Sequence, residues 1–207
     1  MFASFAKSIH RSLLEELLRQ HAPKLRGHII DIGSKNRRYD ALFKGSAITA
    51  VDLVPNAELN VEYGDIEKGL SSADNSFDGA LCIEVFQYLD NYMKATEEIQ
   101  RILKPGGIAI IVMPLVYADH EDNIRFTKKF ITRKLQPFFT SVECHTFGNA
   151  FTIIGDIFHR KIFLTRSRLL RGLLFLLAVP YWLFLAIPGI KKNTDDFYSG
   201  IFLIVTK

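Results

Sequence analysis

Asp31, Asp52 and Asp65 stand in chain order at or just past the ends of short apolar segments, and Gly33 lies two residues beyond the first of them. A glycine has no Cβ, so its backbone can turn tightly and approach a ligand closely. Asp52 follows Gly33 by nineteen residues, where a carboxylate closing a strand can accept two hydrogen bonds from a ribose diol. Asp65 can receive an exocyclic adenine amine while Ile66 packs on the ring. Each feature also has a structural reading: Asp31 as a helix cap or loop brace, Asp52 as a turn residue ahead of Pro55. Together they point to an adenosine-containing cofactor.

The elements that must position these groups are legible from periodicity. HIIDI (28–32), AITAVD (47–52), FDGALCI (77–83) and GIAIIVM (107–113) are short, nearly continuous and rich in β-branched residues, as parallel strands covered on both faces should be. Between the last two, NYMKATEEIQRILKPGG places Met93, Ile99, Ile102 and Leu103 on one side of a helix that ends in Pro105, Gly106 and Gly107, a stop followed by a turn. Strand, helix, strand predicts an open, doubly wound α/β sheet. In such sheets ligands bind outside the C-terminal strand ends. That rule selects Asp31 to Arg37 with Ser34, Asp52 with Leu53, Asp65 with Ile66, Cys82 through Glu84 to Tyr88, and Met113 through Tyr117 to His120.

The chain has 207 residues, enough for one domain with an appendage and short for two cores. At 48% hydrophobic and 23% charged residues it is globular, not disordered. Cys82 and Cys144 are far apart with no Cys/His cluster, so neither a disulfide framework nor a zinc site is expected, and a reducing cytoplasm fits best. The first 25 residues predict an amphipathic helix, with no apolar core of signal-peptide length. Residues 1–119 hold 13 Lys and Arg against 16 Asp and Glu, net −3, whereas residues 120–207 hold 13 against 6, net +7. A basic C-terminal half favours an anionic partner.

These segments resemble the class I S-adenosylmethionine-dependent methyltransferases over roughly residues 25–155. IIDIGSKNRRYDALF is similar to their first motif, AVDLVP to the second, and VEYGDIEKGLSSADNSFDGALCIEVFQYLDN to the third and fourth. EEIQRILKPGGIAIIVMPL resembles the helix, turn and fifth strand that follow. HEDNIRFTKKFITRKL is similar to a stretch in small enzymes of surface-glycan loci. The resemblance implies a Rossmann-like seven-stranded, mostly parallel sheet whose last strand, 197–207, is antiparallel, with a cofactor-binding core over 26–155. It implies S-adenosyl-L-methionine as cofactor, with Asp31 and Gly33 bordering the methionine part, Asp52 the ribose, Asp65 and Ile66 the adenine, and Glu84 to Tyr88 the floor near the sulfonium. Tyr88 stands where the family usually has His. The glycine-rich loop keeps only Gly33, with Lys35 and Arg37 at the later positions. An inward Lys35 at 4 Å and an effective dielectric near 20 would oppose the sulfonium by about 4 kcal/mol; a solvent-directed one would cost little.

If the acceptor is a hydroxyl, transfer needs a base, and His120 just beyond the fifth strand is the candidate, against its reading as an exposed loop histidine. Tyr117 and Arg125 are candidates for binding the acceptor, Arg125 by gripping a phosphate or carboxylate bidentately. The acidic groups around His120 have no spacing specific to a metal, and no metal is expected. GLLFLLAVPYWLFLAIPGI, 172–190, is nineteen uncharged residues, just enough to span a bilayer. Pro180 interrupts it, and cations flank both ends. A span would also separate the last strand from its sheet. The expectation is a helical hairpin insertion over 166–192, resting on a membrane surface, a partner copy or the domain itself. The function expected is methyl transfer to a small or lipid-linked acceptor, a sugar intermediate among the candidates. Rival readings are a catalytically inactive scaffold of the same fold or a weak nucleoside-binding protein, a nicotinamide-dependent oxidoreductase lacking its glycine fingerprint, and a nucleic-acid methyltransferase, for which no recognition module is present.

Overall fold

The computed structural model describes residues 7–118 and 121–207. Seven strands form one sheet: β1 (His28–Ile32), β2 (Ala47–Asp52), β3 (Val61–Tyr63), β4 (Phe77–Ile83), β5 (Leu103–Pro114), β6 (Ser141–Phe147) and β7 (Gly200–Thr206). Their spatial order is β3-β2-β1-β4-β5-β7-β6, and β7 runs antiparallel to both its neighbours while the other pairs are parallel. The expected doubly wound sheet with its antiparallel last strand is therefore present.

The strands are apolar throughout because both faces are covered. Alternate residues of one strand serve different cores. Ile29, Leu81, Ile110 and Phe202 pack with Leu14 and Leu18 of helix α1 (Ile9–His21) on one face. Ile30, Cys82, Ile111 and Leu203 pack on the other with Ile99 and Ile102 of α2 (Tyr92–Ile102) and with Ile131 and Leu135 of α3 (Lys128–Leu135). Ser8 caps α1 by accepting from the Arg11 amide, which satisfies one of the four orphan donors of the first turn.

Two local expectations change. LKPGG does not separate helix from strand. Leu103 already pairs with Phe77, the next four residues bulge out, and pairing resumes at Gly79 with Ile108. Gly106, at φ +77°, turns the bulge and donates its amide to the Lys207 carbonyl. Likewise, 166–192 is not a hairpin by itself. Helix α5 (Arg168–Leu185) runs through Pro180 as one helix, and its hairpin partner is α4 (Ala150–Leu164). The missing amide at Pro180 costs one helical bond, while rings on the two helices hold the pair: Phe151 against Phe184 and Phe158 against Tyr181, whose hydroxyl donates to the Phe151 carbonyl.

Gly155 permits close approach here, since a Cβ would lie 2.5 Å from Ile9 Cδ1 and 2.9 Å from Leu185 Cδ1. Asp156 accepts from the Ile9 and His10 amides, so α4 both packs on α1 and satisfies its N-terminus. Beyond that seam the hairpin is open: of α5 only Ala178 and Leu185 are buried.

Candidate functional site

The crossovers from β1 to β2, β2 to β3 and β3 to β4 contain no α-helix, so loops build the floor and rim above the strand ends. Gly33 and Ser34 both donate to the Val51 carbonyl, which folds the first loop back over β2. Gly33 sits at φ +73°, Lys35 at +50° and Arg37 at +51°. The backbone thus adopts glycine-like geometry at two positions that carry side chains, at about 1–2 kcal/mol each. Two clasps hold it there. Asp52 accepts from the Lys35 amide with one carboxylate oxygen and from the Val54 amide with the other, both at 2.9 Å. Arg37 binds Asp40 at 2.7 Å and donates to the Asn60 and Ile48 carbonyls. Its guanidinium is therefore spent outside the site, and Lys35 is exposed.

Above this loop lies a cavity of about 500 Å³, lined by Gly33, Ser34, Asp52, Leu53, Asp65, Ile66, Glu84 and Tyr88 among others. Eight positions selected from the sequence thus meet in one place. Asp65 accepts from the Glu67 amide and pairs with Lys68, whose hydrogen bond holds its carboxyl below the usual range. Glu84, at φ +59°, meets buried His10, with 3.3 Å between its Oε1 and the His10 Nε2.

Asp31 and Cys82 are corrections: both are buried in the strands beneath the cavity and do not line it. Burial pushes the Asp31 carboxyl up to about 6 and raises the Cys82 thiol as well. Arg125 donates to the Leu115 and Ala118 carbonyls and pairs with Asp122, so it braces the loop after β5, and it lines a small cavity there with Tyr117. His120 lies outside the described residues. Tyr117 lines a separate, adjoining cavity and stacks on His10 with ring centroids 4.4 Å apart.

Several lining groups escaped the sequence reading. Arg11 comes from α1 and donates to the Tyr39 hydroxyl at 3.0 Å; Arg38 and Tyr39 follow the loop. Burial raises the Tyr39 phenol against the opposing pull of Arg11. No local pattern marks these residues, because α1 reaches the strand ends only through tertiary packing.

The residues fit a methionine-bearing nucleoside. The volume lies in the range of about 300–1,000 Å³ usual for small-ligand sites. Leu53, 61% exposed, and Tyr88, 44% exposed, offer apolar surface that nothing in the protein covers, beside carboxylates that can accept from a diol and an amine. Asp52, Asp65, Glu67 and Glu84 outnumber the cations Arg11, Lys35 and Arg38 in the wall, a field suited to a sulfonium.

Residues 30–111 match a family described as methyltransferase domain. A probable methyltransferase from Aspergillus luteorubrus is 44% identical over 50 residues, which are 23% of this chain and 18% of that protein's length. A solved S-adenosylmethionine-dependent methyltransferase from Archaeoglobus fulgidus superposes over 99% of this chain and 96% of its own, with TM-score 0.60 at 15% identity. The Haemonchus contortus phosphoethanolamine N-methyltransferase 2, in complex with S-adenosyl-L-methionine, covers 95% of this chain and 52% of that one, with TM-score 0.59 at 20% identity. Residues 30–111 thus carry the pattern of a methyltransferase domain, and the chain as a whole shares the fold of the solved methyltransferases.

Proposed function

We propose that the protein transfers the methyl group of S-adenosyl-L-methionine to a small or lipid-linked acceptor, with a sugar intermediate as one candidate class. The observation that carries this reading is the convergence of Asp52, Leu53, Asp65, Ile66, Glu84 and Tyr88 on one cavity at the C-terminal strand ends. Asp52 takes the ribose diol, and Asp65 with Leu53 and Ile66 takes the adenine. Glu84 and Tyr88 border the methyl-bearing end. The cofactor supplies an electrophilic methyl carbon; the chain's contribution is to hold an acceptor in line with it, and positioning of that kind supplies much of the acceleration in such transfers.

The scaffold reading rests on Lys35 and Arg37, and it loses support because the Arg37 guanidinium is engaged outside the cavity by Asp40 and two carbonyls, while Lys35 lies exposed in a wall where carboxylates outnumber cations. The membrane contact is supported by α5, an 18-residue apolar helix with Arg166 before it, Arg168 and Arg171 at its N-terminal end, and Lys191 and Lys192 after it. Its apolar side can lie in one leaflet with cations at the headgroups, which leaves β7 free to complete the sheet. The test is to incubate the protein with methyl-labelled cofactor and separate polar-lipid and phosphorylated-sugar fractions. Label should appear in one of them and vanish with Asp52→Ala. No label in any fraction, from a protein that binds cofactor, would favour the scaffold.

A further inference from the structure

A second cavity, of about 810 Å³, opens beside the first, and Arg11 and Arg38 line both. It lies between α1, the end of β5 and the outer face of α4. The partition between the two is chemical as well as spatial: Glu84 faces the cofactor cavity and meets His10, and His10 stacks on Tyr117, which faces the second one. An acceptor held here therefore sits next to the methyl-bearing end of the cofactor.

The lining is divided in character. Lys7, Arg11, Arg38, Arg160 and Lys161 supply five cations against the carboxylates of Glu15 and Asp156. Both carboxylates are engaged, Glu15 with Lys7 at 2.8 Å and Asp156 with two backbone amides of α1. Among the described residues no salt bridge involves Arg38, Arg160 or Lys161. A concave site with several unneutralised cations, two of them guanidinium forks, matches a phosphate oxyanion.

The remaining wall is apolar. Ile157, Phe163 and Leu164 are exposed, Phe163 at 72%, and this surface continues onto α5, where Leu169 is 89% exposed. Monomeric proteins seldom leave contiguous apolar surface of this kind uncovered without a ligand or partner for it.

We propose that the second cavity is the acceptor site and takes a phosphate-bearing amphiphile. Its phosphoryl group sits among Arg11, Arg38, Arg160 and Lys161, and its hydrocarbon tail runs over Ile157, Phe163 and Leu164 toward α5. The assignment rests on the cofactor occupying the first cavity. Anionic lipid chemistry and the membrane-facing helix then belong to one device: the helix brings the cavity mouth to the surface from which the acceptor is drawn.

The test is calorimetric titration of the full chain with three monomeric probes: dihexanoyl phosphatidic acid, inorganic phosphate and dihexanoylglycerol. S-Adenosylhomocysteine is titrated in parallel. The phosphatidic acid should bind at least tenfold more tightly than either fragment. The double variant Arg160→Ser, Lys161→Ser changes two exposed residues that line only the second cavity. It should weaken the phosphatidic acid about tenfold or more and leave S-adenosylhomocysteine within twofold. Phe163→Asp should weaken the phosphatidic acid alone. Phosphate binding as tightly as phosphatidic acid would overturn the amphiphile, and dihexanoylglycerol doing so would overturn the phosphate. Unchanged phosphatidic acid affinity in the double variant would overturn the location. Loss of S-adenosylhomocysteine binding in the unaltered protein, with lipid binding intact, would instead strike the proposed function.

Discussion

Replacing Asp52 by Ala removes two things at once, and they can be told apart. In the protein the carboxylate clasps the first loop through the Lys35 and Val54 amides, each at 2.9 Å. A carboxylate has roughly four acceptor positions, so about two remain for the ribose diol. Hydrogen bonds to a charged group contribute about 1.5–3 kcal/mol each, and Asp52 is half-buried, so the ribose contacts together amount to about 2–3 kcal/mol. Release of the loop adds about 1 kcal/mol, because Lys35 then has no reason to hold its left-handed backbone. The sum is a loss of roughly two hundred-fold or more in affinity. Stability should fall by about 1–2 kcal/mol, or roughly 2–8 °C in Tm for a chain of this size. Calorimetry with S-adenosylhomocysteine and a thermal melt on the same sample measure both, and Asp52→Asn, which keeps one acceptor oxygen, should fall between. Wild-type affinity with a lowered Tm would mean that Asp52 is only a loop clasp, and would refute the ribose assignment.

Three further outcomes follow from the same geometry. Lys35→Gly should change S-adenosylmethionine affinity by about twofold, since an exposed cation at about 10 Å in water contributes roughly 0.4 kcal/mol; a thousandfold gain by calorimetry would show that the side chain points inward. Asp31→Asn tests the buried carboxyl. Its folded pKa, raised by burial to about 6, means that its contribution to stability is fully present below about pH 4 and is lost as pH rises through 6. The variant should therefore match the wild type at pH 4 and exceed it by about 3 kcal/mol at pH 8 in denaturant titrations; a difference independent of pH would contradict this. Gly155→Val should cost about 1–3 kcal/mol by crowding Ile9 and Leu185, and a Tm equal to wild type would show that the α1, α4, α5 seam is looser than described.

The parts of the fold legible in the sequence are those where local pattern and tertiary demand coincide. β1, β2, β4 and β5 are doubly covered strands, so their apolar runs are unbroken and their polar ends stand out. Once the sheet type was inferred, the strand-end rule selected Asp52, Leu53, Asp65, Ile66, Glu84 and Tyr88 without further information. It does not reach Asp31 and Cys82, because both are buried within their strands: Cys82 packs with Ile30 and Ile32 on one face, and alternation puts Asp31 on the other. Three-residue β3 carries too short a pattern to read. The hairpin was mislocated because 172–190 looks self-contained, whereas its partner α4 mixes Phe and Ile with Asp156, His159 and Arg160 and shows no clean stripe. For Arg125 a motif resemblance carries residue type but not the Leu115 and Ala118 carbonyls that lie within its reach. His10, Arg11 and Tyr39 join the site through contacts between distant segments, and no spacing rule reports those.

The positive-φ residues outside glycine teach a related lesson. Lys35 and Arg37 look like damage to a cofactor loop when only side chains are compared, yet the hydrogen bonds that Asp52 accepts from the Lys35 amide and that Arg37 donates to the Asn60 carbonyl hold the backbone in its left-handed geometry. Glycine makes such a conformation inexpensive; enough hydrogen bonds make it tenable for other residues.

The central claim is that this cavity holds S-adenosyl-L-methionine. The most direct test is calorimetric titration of the folded, unaltered chain with S-adenosyl-L-methionine and S-adenosylhomocysteine. One site per chain with micromolar affinity for both is the expected result. No heat and no shift in Tm with either ligand, from a protein whose circular dichroism and melting are those of a folded α/β domain, would contradict it.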